Sequence, residues 1–175
     1  MRLIDVYGNH ILPEEYHYNR LLVVNENMFF VRFDDRTKET YLVDKNLKKL
    51  SKYAFSLTRR KKTPDGEDNF YIVMRKDDNK INIVTSDGRF LSPYVWFDDA
   101  DGKFDYVCTP PNSKEHVRCM DIEIHGKQYY LDLEGRLYDS ECKFVSDLSD
   151  GNVRAEGRKH LLNSINENLN NIFKL

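Results

Sequence analysis

The sequence predicts a mostly β protein: about four repeated antiparallel hairpin units over residues 1–150, closed by a capping α-helix over 151–175. Three observations predict it. Short runs of Phe, Tyr, Val, Ile and Leu are broken by Asp, Asn and Gly, which is the spacing of strands and turns. One ten-residue pattern returns four times along the chain, the mark of a reused supersecondary unit. After Asp150 and Gly151 the apolar spacing changes from that of strands to that of a helix.

The repeated pattern is an apolar pair, then Asp or Thr, then a turn residue three positions later, then an apolar or aromatic residue. It reads from Leu3 to Leu12, Leu42 to Ser51, Ile83 to Ser92 and Tyr130 to Asp139. The Asp or Thr positions are 5, 44, 85 and 132, separated by 39, 41 and 47 residues. This spacing predicts units of about 1–40, 41–81, 82–128 and 129–150. Gly8, Gly88 and Gly135 occupy the turn position, where a residue without Cβ accepts positive φ. Leu47 takes that place in the second copy, which predicts a different or strained turn there.

Each unit also carries a later strand. Phe29 to Phe33 precedes Asp34 and Asp35, and Phe70 to Arg75 precedes Asp77 and Asp78. His116 to Met120 and Ile122 to Ile124 precede Gly126. Two insertions interrupt the pattern. Thr63-Pro64-Asp65-Gly66 has the residue order of a type I turn. Thr109 to Lys114, with Pro110 and Pro111, is a loop that lengthens the third unit. Arg59-Arg60-Lys61-Lys62 is a basic run; Glu67 and Asp68 follow closely, and the run reads as a solvated loop.

At the C-terminus, Leu161, Leu162, Ile165, Leu169, Ile172 and Phe173 share one helical stripe opposite Asn163, Asn166, Glu167 and Asn170. A helix over about 152–173 is predicted, weakened at Gly157. It is expected to cover the last sheet edge, because an open edge strand templates aggregation; the alternative is that it docks a partner.

The stretch Asp87-Gly88-Arg89-Phe90-Leu91-Ser92, followed by Trp96-Phe97-Asp98, resembles the bacterial WG-type repeat. The likeness continues through Asp105-Tyr106-Val107 to Leu131-Asp132-Leu133-Glu134-Gly135-Arg136. No Trp in this chain is followed by Gly, so the signature dipeptide of that family is missing. The resemblance implies a β-rich repeat scaffold of a kind common in bacteria and phages, without one shared activity. It assigns no functional residues.

Composition narrows the function classes. With 27 basic and 29 acidic side chains the net charge is -2, so no single-sign field supports nucleic-acid binding. No apolar run is long enough to span a bilayer. Cys108, Cys119 and Cys142 form no close pair; an odd number at such spacing predicts no disulfide framework and favours a reducing compartment. Cytoplasmic or virion-associated location is the resulting expectation.

Motifs for chemistry are thin. Cys108, His116, Cys119 and His125 lack the short spacing that lets one turn deliver two zinc ligands. Asp99, Asp101 and Gly102 resemble part of a calcium loop, but Phe97 and Cys108 stand where its terminal oxygen ligands belong. No nucleophile elbow or phosphate loop is present. The sequence therefore points to no enzyme, no cofactor and no metal. It favours a scaffold with a protein partner or self-assembly, with no nucleic acid and no membrane. The alternative is a module for a carbohydrate or small ligand, with Tyr94, Trp96 and Phe97 as an exposed aromatic platform; a cryptic hydrolase ranks last.

Overall fold

The computed structural model describes residues 2–149. The helix expected over 152–173 lies outside the described residues. Every regular element among the described residues is a strand: β1 Arg20–Asn25, β2 Met28–Arg32, β3 Tyr41–Asp44, β4 Phe55–Lys62, β5 Asn69–Arg75 and β6 Ile81–Thr85. There follow β7 Asp99–Ala100, β8 Tyr106–Cys108, β9 Val117–Ile124, β10 Lys127–Asp132, β11 Arg136–Tyr138 and β12 Phe144–Asp147.

The expectation of about four repeated hairpin units is corrected. The strands form three antiparallel sheets: β1-β2-β3, then β4-β5-β6, then six strands in the order β12-β11-β10-β9-β7 with β8 also on β9. Of the four matching stretches, only the fourth is a hairpin of two full strands, β10 and β11. The first makes a single bridge, Ile4 to His10, and the second and third add bridges Val43 to Lys49 and Val84 to Phe90. The reason lies in where the chain reverses. Strands β3 and β6 each open a copy of the sequence pattern, yet each pairs backward, as third strand of the preceding sheet.

What recurs is the turn. At Asp5, Asp44 and Asp132, one carboxylate oxygen accepts the amides two and four residues on, at 2.8–3.0 Å. The amide three residues on donates to the carbonyl of the same Asp, at 3.1 Å in all three. A fifth copy stands at Asp139, with Cys142 in the glycine place. The residue at that place has φ of +87° at Gly8, +84° at Gly88, +86° at Gly135, +64° at Leu47 and +62° at Cys142. Leu47 thus adopts the same left-handed turn as the glycines. Asn46 and Lys48 amides held by Asp44 offset the cost of its Cβ.

Alternation along each strand stacks the sheets. On β2, Phe29 and Val31 face one way and Phe30 the other. Phe30, with Leu42 of β3, meets Phe55, Tyr71, Val73 and Val84 of the second sheet. The opposite face of that sheet, Phe70, Ile81 and Ile83, meets Met120, Ile122, Leu131 and Leu137 of the third. Cys108, Cys119, Tyr130 and Tyr138 form a cluster on the far side of the third sheet. The molecule is a row of sheets separated by apolar layers. This explains why central strands read as unbroken apolar runs: both faces are covered.

Two local expectations change. Arg59 to Lys62 is no loop but the second half of the edge strand β4, paired to β5 through Lys62 and Asn69. The strand period is hidden there because its exposed end carries long cations on both faces. Cys108 and Cys142 form a disulfide with Cα atoms 5.3 Å apart, correcting the expectation that the cysteines stay unpaired. Pairing β8 to β9 and turning the chain at Asp139 brings them together, a closure spacing cannot show. The sulfur-rich layer includes Cys119, whose thiol is pushed up to about 12 by burial, with Asp132 adding to it. Among the described residues no helix is long and apolar enough to cross a membrane.

Candidate functional site

An open cleft of about 620 Å³ lies beside the junction of the second and third sheets. Its aromatic wall is Tyr53, Phe90 and Trp96, and Tyr94 stands at its rim. Three chain segments build it. Tyr53 lies in the connection before β4, Arg75 ends β5, and residues 86–98 return from the Thr85 turn to place Phe90, Tyr94 and Trp96. The Lys76 amide donates to the Ala54 carbonyl at 2.9 Å, which ties the first two segments together.

The wall is a packed aromatic set. Trp96 meets Tyr53 edge-on at 5.0 Å between ring centres, lies 5.5 Å from Phe90 and stacks nearly parallel to Phe55 at 6.5 Å. The Arg75 guanidinium lies over the Trp96 ring at 4.4 Å and over Tyr53 at 4.9 Å. A cation over an aromatic face is held by the ring quadrupole. Arg75 is fixed from the other side by Asp78: Nε donates to Oδ1 at 2.8 Å and Nη2 to Oδ2 at 2.5 Å. This bidentate bond raises the Arg75 pKa and is the main cause holding Asp78 below the usual carboxylate range. The guanidinium is a charged lid on the aromatic stack, not a group free to swing.

Polar groups complete the rim. Lys80 pairs with Asp98, and the second Asp98 oxygen accepts the His125 amide at 2.5 Å. His125 and Lys80 therefore reach the cleft from two different sheets, joined through one carboxylate. Lys52 lies over the outer face of Tyr53 at 5.1 Å. The site offers one well-exposed ring, Tyr94, beside Trp96 and Tyr53 rings already capped by Arg75 and Lys52, with hydrogen-bonding groups at the edge. This chemistry suits a polar ligand with one flat apolar side.

The aromatic platform expected at Tyr94, Trp96 and Phe97 is divided by the structure. Tyr94 is 62% exposed and overhangs the cleft. Trp96 is partly buried and presents part of its ring. Phe97 is fully buried: it exchanges two backbone bonds with Ile81 and packs in the layer between the second and third sheets. The reason is alternation, since neighbours Trp96 and Phe97 must point oppositely where the backbone is extended. Tyr53, Arg75 and Phe90 were not singled out by sequence reasoning. Tyr53 and Arg75 are brought together by the pairing of Phe55 with Arg75, beside a β-bulge in β4.

Among the described residues no three His, Cys, Asp or Glu side chains converge to hold a metal ion. Comparison of the chain with family models, with curated proteins and with solved structures finds no match in any of the three.

Proposed function

We propose that this protein is a non-catalytic β scaffold whose aromatic cleft binds a small carbohydrate-like ligand. One observation carries the reading: Trp96, Tyr53 and exposed Tyr94 line one open cleft whose rim is polar and cationic. Sugars present a face of C–H groups that stacks on aromatic rings and an edge of hydroxyls that hydrogen-bonds to a polar rim. A cleft of about 620 Å³ holds a short oligosaccharide, within the range of ligand sites of about 300–1,000 Å³.

Trp96 is the only tryptophan of the chain, so its fluorescence reports on this cleft alone. Titration with a panel of glucose-, galactose- and N-acetylglucosamine-based di- to tetrasaccharides is expected to shift or quench that emission with saturation. Tyr94→Ala removes the rim aromatic without touching the core, and is expected to weaken binding at least tenfold. A panel that leaves the emission unchanged, confirmed by calorimetry, rejects the carbohydrate reading.

A protein contact is the second reading, and a separate observation favours it. Val6 and Tyr7, at the tip of the first turn, are 92% and 87% exposed. Side chains of this size in full contact with water suit burial by a partner or a second copy of the chain. Sedimentation of the Val6→Ser, Tyr7→Ser double variant tests this, since loss of self-association is expected relative to the parent protein.

A further inference from the structure

The basic run of β4 does not stand alone in the fold. A second cleft, about 330 Å³, is lined by Lys61 and Lys62 of β4, by Lys103 of the 101–105 loop and by Arg118 of β9. A smaller recess of about 150 Å³ adjoins it, sharing Lys61 and Gly102 and adding Arg59. Five cations from three segments thus line two neighbouring recesses, together one groove, with Lys62 at the strand end alternating away from Arg59 and Lys61. Two carboxylates, Asp101 and Asp105, also border it, leaving an excess of positive charge.

Of the other Lys and Arg among the described residues, eight have a carboxylate partner and ten do not. Arg75, Lys76, Lys80, Arg89, Arg136 and Lys143 each have a carboxylate partner. None of the five has one within 4.0 Å among the described residues. The floor is firmly built. Phe70 and Phe104 are buried and meet edge-on at 5.1 Å. Gly102 has φ of +81°, and a Cβ there would come within 2.9 Å of Ile72 Cδ1, so the loop is pressed onto the sheet. Alternation puts Arg59 and Lys61 on the same face of β4, the face of Ile72 and Phe70.

We infer that this groove is an anion site for a short polyphosphate chain, free or carried by a nucleotide. It is separate from the aromatic cleft and goes beyond the function proposed above. Several positive groups converging on a small space match a compact ligand of high charge density, and Arg and Lys both bind phosphate oxygens. The room available is at the low end for small ligands. Single-stranded nucleic acid fits less well. Its binding relies on exposed rings for base stacking, and the two rings in the groove are buried in its floor.

Calorimetry with inorganic tripolyphosphate, ATP and adenosine tests the inference. Tripolyphosphate and ATP are expected to bind, adenosine not, and both affinities are expected to fall as sodium chloride is raised. Equal binding of the two identifies the bare chain as the ligand; tighter ATP binding identifies the nucleotide. The Lys61→Ala, Arg118→Ala double variant is expected to lose at least tenfold in affinity, and Lys45→Ala, on a distant turn, none. Protection of Lys61 and Lys103 from an amine-acetylating reagent by tripolyphosphate, read by mass spectrometry on the parent protein, needs no variant. No heat and no protection at millimolar tripolyphosphate overturns the inference. So does equal loss in Lys45→Ala, or tighter binding of oligothymidylate with the same sensitivity to the double variant.

Discussion

Gly8, Gly88 and Gly135 occupy the same place in the same turn, with φ of +87°, +84° and +86°. Replacing each by Ala imposes the same backbone penalty, roughly 1–2 kcal/mol for an L-residue in the left-handed region. What differs is the space around the new methyl. At Gly8 nothing lies within 4 Å. At Gly88 the methyl meets Met28 Sδ, the far end of a flexible side chain that can turn away. At Gly135 it meets the Leu91 carbonyl oxygen at 2.8 Å, Ser149 Cβ at 2.7 Å and the Ser149 amide nitrogen at 3.1 Å. Two of these are backbone, and the Gly135 carbonyl also accepts the Leu148 amide at 2.7 Å, so the strands cannot part cheaply. Overpacking of this kind adds about 1–3 kcal/mol. The expected order of loss is Gly8→Ala, then Gly88→Ala, then Gly135→Ala, the last at about 2–5 kcal/mol. In a domain of this size each kcal/mol moves the melting temperature by about 2–4 °C. Urea unfolding of the three purified variants reads the order directly. A Gly135→Ala protein no less stable than Gly8→Ala refutes the reasoning, because the penalty would then be conformational alone.

Two further outcomes are expected. The Cys108–Cys142 disulfide spans 34 residues of sequence, and the chain-entropy relation gives about 4 kcal/mol for a loop of that size. Urea midpoints of the oxidised protein with and without dithiothreitol should therefore differ clearly, and Cys142→Ser should match the reduced form; coincident midpoints defeat the expectation. Burial raises the pKa of Asp132 above its ordinary value, against the lowering effect of the Arg136 and Glu134 amides. Its folded form thus holds a proton more tightly than the unfolded chain. The resulting stability is full below the unfolded value of about 4 and is lost as pH rises through the folded pKa. Asp132→Asn should lack this component, so its stability relative to the parent should grow with pH above about 4. Parallel pH profiles for the two proteins, from urea unfolding, count against it.

The comparison of Asp132 with Asp5 shows what a motif conveys and what it leaves out. Both carboxylates accept the same two amides of the same turn. Asp5 is only partly buried, and its bonds to Asn9 lower its pKa; Asp132 is buried, and its pKa rises. The turn was legible because it is built within a few residues. The direction of the pKa shift was not, because it comes from burial against residues distant in sequence. The same division holds across the fold. Strands β2, β5 and β9 could be read from their aromatic and β-branched runs. The partition into three sheets could not, since nothing in Tyr41 to Asp44 says whether that strand pairs forward or backward. In the cleft, exposed Tyr94 and partly exposed Trp96 were visible in the sequence, whereas Arg75 over Trp96 came only from tertiary pairing. Phe97 was misplaced by one residue of alternation.

Each sheet is made from one uninterrupted stretch of chain: β1 to β3, then β4 to β6, then β7 to β12. During synthesis, the first two sheets can close on each other before the third has left the ribosome. The layer formed by Phe30, Leu42, Phe55 and Tyr71 is then closed except where Phe90 and Trp96 pack against it. The other face of the second sheet is not. Phe70, Ile81 and Ile83 must wait in water until Met120, Ile122 and Leu131 have been made. A nascent chain stalled after Thr85 therefore carries a sticky half-core. That face is a surface on which a chaperone can hold.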